Sequence, residues 1–213
     1  MISGKRSWLL FVGLSLILLG AAQILRQTLL HQPADAMAPP GSLHSATITN
    51  DSKPLPAFTL HSADGVIDNA ALQDRWSLLF FGYTFCPDIC PTTLASVREM
   101  LAHLDAAVVR PQVLFVSVDP ARDSPDRLSA FVRFFDPAFL GAVGDDAAIA
   151  DLVKHLGVHY QRLDEKDKNN YVVDHTAAVY LIDPQGRLKA VFSWPHEPAV
   201  MAADYQRIII DDY

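Results

Sequence analysis

Both cysteines of the chain lie in one short segment, and their spacing suits metal binding or thiol exchange. Cys86 and Cys90 are separated by three residues in the segment FCPDICP, and the 213-residue chain contains no other cysteine. Pro87 and Pro91 each disfavour helical geometry at the preceding cysteine, so the cysteines bracket a loop and Pro91 is expected to begin a helix. A helix N-terminus stabilises thiolates, which favours both chemistries.

Two purely structural interpretations of this pair are weaker. A disulfide across so short a loop would add little stability, because the stabilisation grows with the length of the closed loop. Two buried apolar cysteines would not need such polar, proline-flanked surroundings. We therefore expect Cys86 and Cys90 to bind a metal ion while remaining able to form a redox disulfide.

The choice of metal depends on the ligands that join the two thiols. Zinc usually takes four protein ligands, or three and a water, whereas Cu(I) is satisfied by two thiolates and one further soft or imidazole ligand. Among eight histidines, His175 is the candidate third ligand because it precedes a predicted strand and follows a long polar loop, residues 161–174, that could cover the cysteine end of the sheet. Asp174 beside it is expected to fix the tautomer of the ring.

An alternation of strands and helices must position these side chains. Apolar runs predict strands buried on both faces at residues 77–83 and 113–119. Short strands are predicted at residues 57–62 and 65–69, and a hairpin is predicted at residues 176–193. Apolar stripes predict helices that start near Pro91 and Ser124, with two more further along the chain. This order predicts an α/β domain whose central sheet is flanked by helices. A thioredoxin-like fold has this order and places its reactive site just after the first long buried strand, where Cys86 lies.

The N-terminal residues predict a membrane anchor and a tether. Residues 8–25 are apolar and uncharged, and at about 1.5 Å per residue a helix of this length just spans a hydrocarbon core. We expect an anchor in residues 1–26, a tether in residues 27–53 that is rich in Pro, Ala, Ser and Thr, and the folded domain in residues 54–213. The alternatives are a cleaved signal peptide and a buried core helix, which the lack of a polar face disfavours.

Charge distribution predicts where the domain lies. Lys5 and Arg6 precede the apolar run and should remain in the cytoplasm, which sends the domain across the membrane. The absence of an Arg- and Ser-rich presequence favours a single-pass protein of a bacterial inner membrane with its domain in the periplasm. The alternative is the mitochondrial inner membrane, with the domain in the intermembrane space. A net charge of −7 without a basic stripe argues against nucleic-acid binding.

Three segments resemble, in order, the Sco/SenC family of membrane-anchored copper proteins: FFGYTFCPDICPTTL, VSVDPARDSPDRL and VVDHTAAVYLIDPQG. The resemblance covers nearly the whole domain, from about Pro56 to the last predicted helix. It implies a thioredoxin-like fold and a copper site made by Cys86, Cys90 and His175. It also implies a role in assembling the binuclear copper site of cytochrome c oxidase, on subunit II.

The resulting interpretation is a membrane-anchored copper metallochaperone rather than an enzyme in the strict sense. Its expected partners are cytochrome c oxidase subunit II and a second copper chaperone as donor. The alternative is a thiol–disulfide reductase that keeps the cysteines of that copper site reduced, using the same Cys86–Cys90 pair. A peroxiredoxin-like peroxidase fits less well, since its Thr would stand three residues before the reactive cysteine, whereas Thr84 stands two before Cys86.

The second of the three segments carries charges whose default interpretation is a solvated loop. Asp119, Arg122 and Asp123 follow a predicted strand. If that strand runs parallel to residues 77–83, the loop emerges at the cysteine end of the sheet and could shape a docking face for a partner.

Overall fold

The computed structural model describes residues 43–49, 53–163 and 171–211. Within these residues, an eight-stranded sheet and a separate two-stranded sheet are combined with four α-helices. The strands are β1 (Ala46–Ile48), β2 (Thr59–Ser62), β3 (Gly65–Asp68), β4 (Ser77–Gly82), β5 (Gln112–Ser117), β6 (Leu140–Val143), β7 (Tyr160–Leu163), β8 (Val172–His175), β9 (Ala178–Ile182) and β10 (Leu188–Ser193). The helices are α1 (Ile89–Ala102), α2 (Pro125–Arg133), α3 (Asp146–Leu156) and α4 (Pro198–Asp211), and a 3-10 helix spans Asn69–Leu72.

The large sheet is mixed and has the order β1-β10-β9-β4-β5-β6-β2-β3. β4 pairs with β5 in parallel and with β9 antiparallel. Every residue of β4 is buried, as expected for a central strand covered on both faces. The predicted α/β architecture is therefore confirmed, and the parallel pairing brings the loops after β4 and β5 to the same edge.

Local sequence signals account for several helix ends. The Ser124 side chain accepts from the N–H of Arg127 at the start of α2, as a capping serine does. Gly157 ends α3 with φ of +67°, a conformation that glycine adopts without strain. α1 starts at Ile89, two residues before the predicted start at Pro91. Proline is compatible with this first turn because its missing N–H would have no helical partner there.

The sequence analysis did not predict four short strands. β6, β7 and β8 contain four residues each and β1 contains three. Neither β7 nor β8 belongs to the large sheet; they pair only with each other among the described strands. His175 is the last residue of β8 and pairs with Tyr160, so the candidate third ligand sits on this separate hairpin.

The N-terminal boundary of the compact unit lies earlier than the predicted domain start. The unit begins at Leu43, and β1 lies within the segment predicted as tether, where it pairs with β10. The carboxylate of Asp204 on α4 accepts hydrogen bonds from this segment. The predicted anchor in residues 1–26 lies outside the described residues. Among those that are described, no helix combines the length and apolarity that membrane crossing requires.

Candidate metal centre

The cysteines are presented at the end of the most deeply buried strand. After β4 the chain turns, with the N–H of Cys86 donating to the carbonyl of Tyr83 at 3.2 Å, and Cys90 then lies in the first turn of α1. Cys86 is half-buried and Cys90 is fully buried, and neither is in a disulfide. The Cys90 N–H lies 3.4 Å from the sulfur of Cys86.

Gly82 allows Cys90 to pack this closely on the sheet. A Cβ at Gly82 would stand 2.5 Å from the Cys90 sulfur and 2.9 Å from the ring of Phe115. Both distances are shorter than van der Waals contact, so any side chain at this position would displace the sulfur. Glycine at the end of β4 therefore allows the Cys90 sulfur to occupy its position in the site.

His175 reaches the cysteines from the β7–β8 hairpin. Its Nε2 lies 3.3 Å from the sulfur of Cys90, and its ring packs edge-on against Phe80 and Tyr83. Its Nδ1 lies 3.3 Å from the carbonyl of Thr176. Because a carbonyl can only accept, this contact favours a proton on Nδ1.

Asp174 does not set this tautomer, contrary to the sequence-based expectation. The Asp174 side chain is exposed, and its backbone pairs with Gln161 on β7. Successive residues of a strand point to opposite faces, so Asp174 and His175 diverge, and the carbonyl of Thr176 takes the role that was predicted for the carboxylate.

The two thiols differ sharply in acidity. The hydrogen bond from the Cys90 thiol is the main cause that lowers the pKa of Cys86 to about 3, with help from His175 and from backbone groups of Cys90 and Asp88; burial opposes the shift. Burial, followed by the neighbouring Cys86, raises the pKa of Cys90. At neutral pH the metal-free pair therefore holds one thiolate, at the half-exposed position, and one thiol, at the buried position.

The three donor atoms are close enough to share one metal ion. The two sulfurs and a ring nitrogen of His175 all lie within 4.8 Å of one another. Metal–sulfur bonds of about 2.3 Å let a single ion span about 4.6 Å, so movements of a few tenths of an ångström would bring all three into reach. Two thiolates and one imidazole form a soft donor set that suits Cu(I).

Two of the other histidines do not join this group. His103 is exposed at the end of α1. His196 is buried, with its ring nitrogens 3.4 Å from the Thr93 hydroxyl and 3.3 Å from the Phe192 carbonyl. Burial lowers the pKa of His196, so this residue is a neutral component of the core.

The charged residues that follow β5 do not form a solvated loop, so the expectation from the sequence was wrong. Asp119 and Asp123 are buried, and Arg122 forms an ion pair with Asp119 at 2.5 Å. The parallel pairing of β4 and β5 brings them beside the cysteine loop. The sequence analysis also missed Tyr171, whose ring lies 3.6 Å from the Arg122 guanidinium carbon; its position four residues before His175 was the one available signal.

A thiol pair after the first central strand, at the start of a helix and on a mixed sheet, defines a thioredoxin-like protein. The added imidazole makes it one of the thioredoxin-like proteins equipped to hold a soft metal ion.

Comparison with known proteins gives the family. The sequence profile described as SCO1/SenC matches residues 47–210, and the chain belongs to this family. It is 35% identical over 146 residues to SCO2-like protein RC0895 of Rickettsia conorii, covering 68% of this chain and 71% of that protein.

Two solved structures show the same fold. The chain resembles apo Sco1 from Thermus thermophilus with a TM-score of 0.68 and 35% identity, over 80% of this chain and 99% of that one. It also resembles Bradyrhizobium japonicum ScoI, a structure with copper bound, with a TM-score of 0.64 and 35% identity, over 73% of this chain and 99% of that one. The predicted thioredoxin-like fold and family membership are confirmed.

Proposed function

We propose that this protein is a copper metallochaperone that carries one copper ion on Cys86, Cys90 and His175. The observation that carries the proposal is the convergence of these three donor atoms within 4.8 Å. Copper is the metal because the donor set is soft and, among the residues that the structure describes, includes no fourth protein ligand of the kind that a structural zinc site has. The copper-bound relative supports the same assignment.

The half-exposed position of Cys86 gives a route for copper transfer. An incoming ion can be received by the exposed thiolate of Cys86 before it reaches Cys90, which has to lose its proton. Release to a partner can use the same steps in reverse, through ligand exchange at Cys86. We propose that the recipient is the binuclear copper site of cytochrome c oxidase subunit II, and that a second copper chaperone acts as donor.

We further propose that residues 1–26 anchor the protein in a bacterial inner membrane, with the domain in the periplasm. The basis is the apolar run preceded by Lys5 and Arg6, which should stay in the cytoplasm. An alkaline phosphatase fused to the C-terminus should be active, because this enzyme works only after export. An inactive fusion that accumulates normally would reverse the orientation.

A second candidate function is reduction of a disulfide in the copper-free recipient. The observation that favours it is the pairing of a half-exposed, acidic thiol with a buried one. The Cys86 thiolate would attack the partner disulfide and release one partner thiolate, and Cys90 would then displace the second. The protein pair becomes a disulfide as the partner becomes a dithiol.

The variant His175→Ala separates these two functions in cells. Disulfide exchange needs the two thiols alone, whereas copper binding also uses the imidazole. Cytochrome c oxidase should therefore lack copper in the His175→Ala strain and in strains that carry Cys86→Ser or Cys90→Ser. Normal oxidase in the His175→Ala strain, with failure of both cysteine variants, would assign the reductase function instead. Equal thermal stability of metal-free parent and His175→Ala protein is the required control.

A further inference from the structure

The loop of residues 119–123, here called the clamp loop, contributes no thiol or imidazole but contacts both segments that do. It follows β5 and precedes α2. On one side it contacts the residues just before Cys86, and on the other it contacts the start of the strand that ends at His175. These contacts are the basis of an inference that rests on, and deepens, the proposed copper function.

On the cysteine side, Asp123 and Arg122 hold the segment between β4 and Cys86. The Asp123 carboxylate accepts from the N–H of Thr84 at 3.1 Å and from its hydroxyl at 2.5 Å. It also accepts from the hydroxyl of Ser117 at 2.6 Å. The guanidinium carbon of Arg122 lies 4.8 Å from the centre of the Phe85 ring, and Phe85 is the residue directly before Cys86.

On the histidine side, Arg122 and Asp119 hold Tyr171. Arg122 Nη1 donates to the carbonyl of Tyr171 at 2.9 Å, and its guanidinium carbon lies 3.6 Å from the centre of the Tyr171 ring. The Tyr171 hydroxyl donates to the carboxylate of Asp119, which also pairs with Arg122 Nε. The guanidinium is thus in contact with an aromatic ring from each ligand-bearing segment.

These contacts matter because β8 has no hydrogen-bonded partner in the large sheet. Its position depends on pairing with β7, on hydrogen bonds between His159 and Thr176, and on contacts to residues near the thiols. The latter include Tyr83, whose hydroxyl accepts from the backbone of Val173. Arg122 contacts both the cysteine segment and the histidine segment with its charged group. Charge-assisted hydrogen bonds are stronger than hydrogen bonds between neutral groups, and cation–π contacts add a further attraction.

Burial excludes a simpler role for Arg122 as a charge displayed to a partner. Its side chain is only 9% exposed, and its Nη2 is buried without a hydrogen-bond partner among the described residues. Among the described residues, Arg127 is an accessible cation of this region: it is exposed, and its guanidinium carbon lies 5.0 Å from the centre of the same Phe85 ring.

We propose that Arg122 is a positioning residue for the metal centre, which fixes the distance between the thiol pair and the imidazole. Without it, β8 would separate from the cysteine loop, while α1 keeps Cys90 in place and the Asp123–Thr84 and Cys86–Tyr83 hydrogen bonds keep Cys86 in place. The copper site would then lose its nitrogen ligand but retain its two sulfurs. The dithiol would still form and break its disulfide.

The test compares Arg122→Met with Arg127→Met in the full-length chain purified in detergent. Hydrogen exchange is measured first, on the metal-free reduced protein. In Arg122→Met, the amides of residues 172–176 should exchange at least about tenfold faster, while those of β4 and α1 keep their protection. Arg127→Met should match the parent throughout. Parental exchange at residues 172–176 in Arg122→Met would overturn the proposal.

Copper binding provides the second readout. Loss of a residue that orients a ligand typically weakens metal affinity by about 10–100-fold, and X-ray absorption of Cu(I)-loaded Arg122→Met should show two sulfurs without the imidazole nitrogen. The oxidation rate of the Cys86–Cys90 pair should stay within about twofold of the parent. Retained imidazole ligation and parental affinity would overturn the proposal. A parent that binds no copper would instead refute the proposed function, and the exchange comparison would still test the positioning role.

A variant that keeps the charge distinguishes positioning from general stability. Arg122→Lys can pair with Asp119, but it lacks the planar fork that also reaches the Tyr171 carbonyl. If Arg122→Met loses protection at every amide, Arg122→Lys decides the question. It should show the selective loss at residues 172–176, and a folded Arg122→Lys protein without that loss would contradict the proposal.

Discussion

Nε2 of His175 lies 3.3 Å from the sulfur of Cys90, although 85 positions separate the two residues in the sequence. The imidazole comes from the small β7–β8 sheet and the sulfur from the first turn of α1. Without any metal, the fold already holds the three donor atoms together. Copper would therefore meet a nearly preformed site, which reduces the ordering that binding must otherwise impose.

Alkylation of Cys86 should be almost independent of pH between about pH 5 and 8. The thiolate is the reactive form, and a pKa of about 3 makes Cys86 a thiolate throughout this range. A thiol with the ordinary pKa of about 8.5 would react about tenfold faster for each added pH unit. Iodoacetamide labelling of the metal-free reduced protein, followed by mass spectrometry, measures the rate at each pH.

The variant Cys90→Ala is the control for this experiment. It removes the largest cause of the lowered pKa of Cys86, so reactivity should regain pH dependence near neutrality. A tenfold increase per pH unit in the parent protein would show that Cys86 is an ordinary thiol.

Binding of Cu(I) near pH 7 should release about one proton per copper ion rather than two. Both sulfurs must be deprotonated to bind. Cys86 already is, because its pKa is low, while the raised pKa of Cys90 leaves that thiol protonated. Calorimetric titration in buffers of different ionisation enthalpy measures the number of protons released per copper ion. Release of two protons would contradict the assigned protonation states.

The Gly82→Ala substitution should weaken copper binding more than a glycine-to-alanine substitution that crowds a site away from the metal ligands. Its Cβ would stand 2.5 Å from the Cys90 sulfur, so the sulfur must move. Gly141→Ala is the matched control, because its Cβ would stand 2.9 Å from the Leu128 Cβ, on a strand that carries no ligand. Both variants should lose about 1–3 kcal/mol of stability through overpacking.

Copper affinity then separates the two glycine variants. A competition titration should show weaker binding for Gly82→Ala, with parental affinity for Gly141→Ala. If Gly82→Ala binds copper as the parent does, the close packing of Cys90 on β4 is not needed for the site.

A fragment of residues 43–213 should be more stable than a fragment of residues 54–213. Asp204 is 2% exposed, and its carboxylate accepts from the N–H groups of His44, Ser45 and Ala46 at 2.6–3.1 Å. The shorter fragment leaves this carboxylate without these partners and removes β1 from the edge of β10. The loss should be about 3 kcal/mol, the scale of a buried charge left unpaired.

Denaturant unfolding of both fragments, with and without Asp204→Ala, measures this contribution. Asp204→Ala should destabilise the longer fragment markedly but should not destabilise the shorter one, because the carboxylate there has already lost these partners. Equal unfolding midpoints for the two unsubstituted fragments would mean that β1 adds nothing to the domain.

The sequence predicted the parts of the fold that have strong local signals. Continuous apolar runs located β4 and β5, and Ser124 marked the start of a helix through the capping geometry that its residue type favours. The thiol spacing located the centre of the site. His175 was predicted from its position before a strand, and the resemblance to a family added weight to it.

Features that depend on distant contacts were not predictable in this way. Charges of the DPARD segment look solvated in sequence, yet Asp119 and Asp123 are buried because β5 lies parallel to β4. Likewise, nothing local to residues 44–46 shows that Asp204 will bind them from the far end of the chain. In both cases a buried carboxylate is stable only because the tertiary fold supplies its donors.

X-ray absorption spectroscopy of the Cu(I)-loaded protein is the most direct test of the proposed copper centre. If Cys86, Cys90 and His175 form the site, the spectrum should fit two sulfurs and one imidazole nitrogen per copper ion, with one ion per chain. The His175→Ala protein should lose the nitrogen contribution and keep both sulfurs. A fit to four sulfurs shared between two chains, or to two sulfurs without nitrogen in the parent protein, would contradict the proposed three-ligand site.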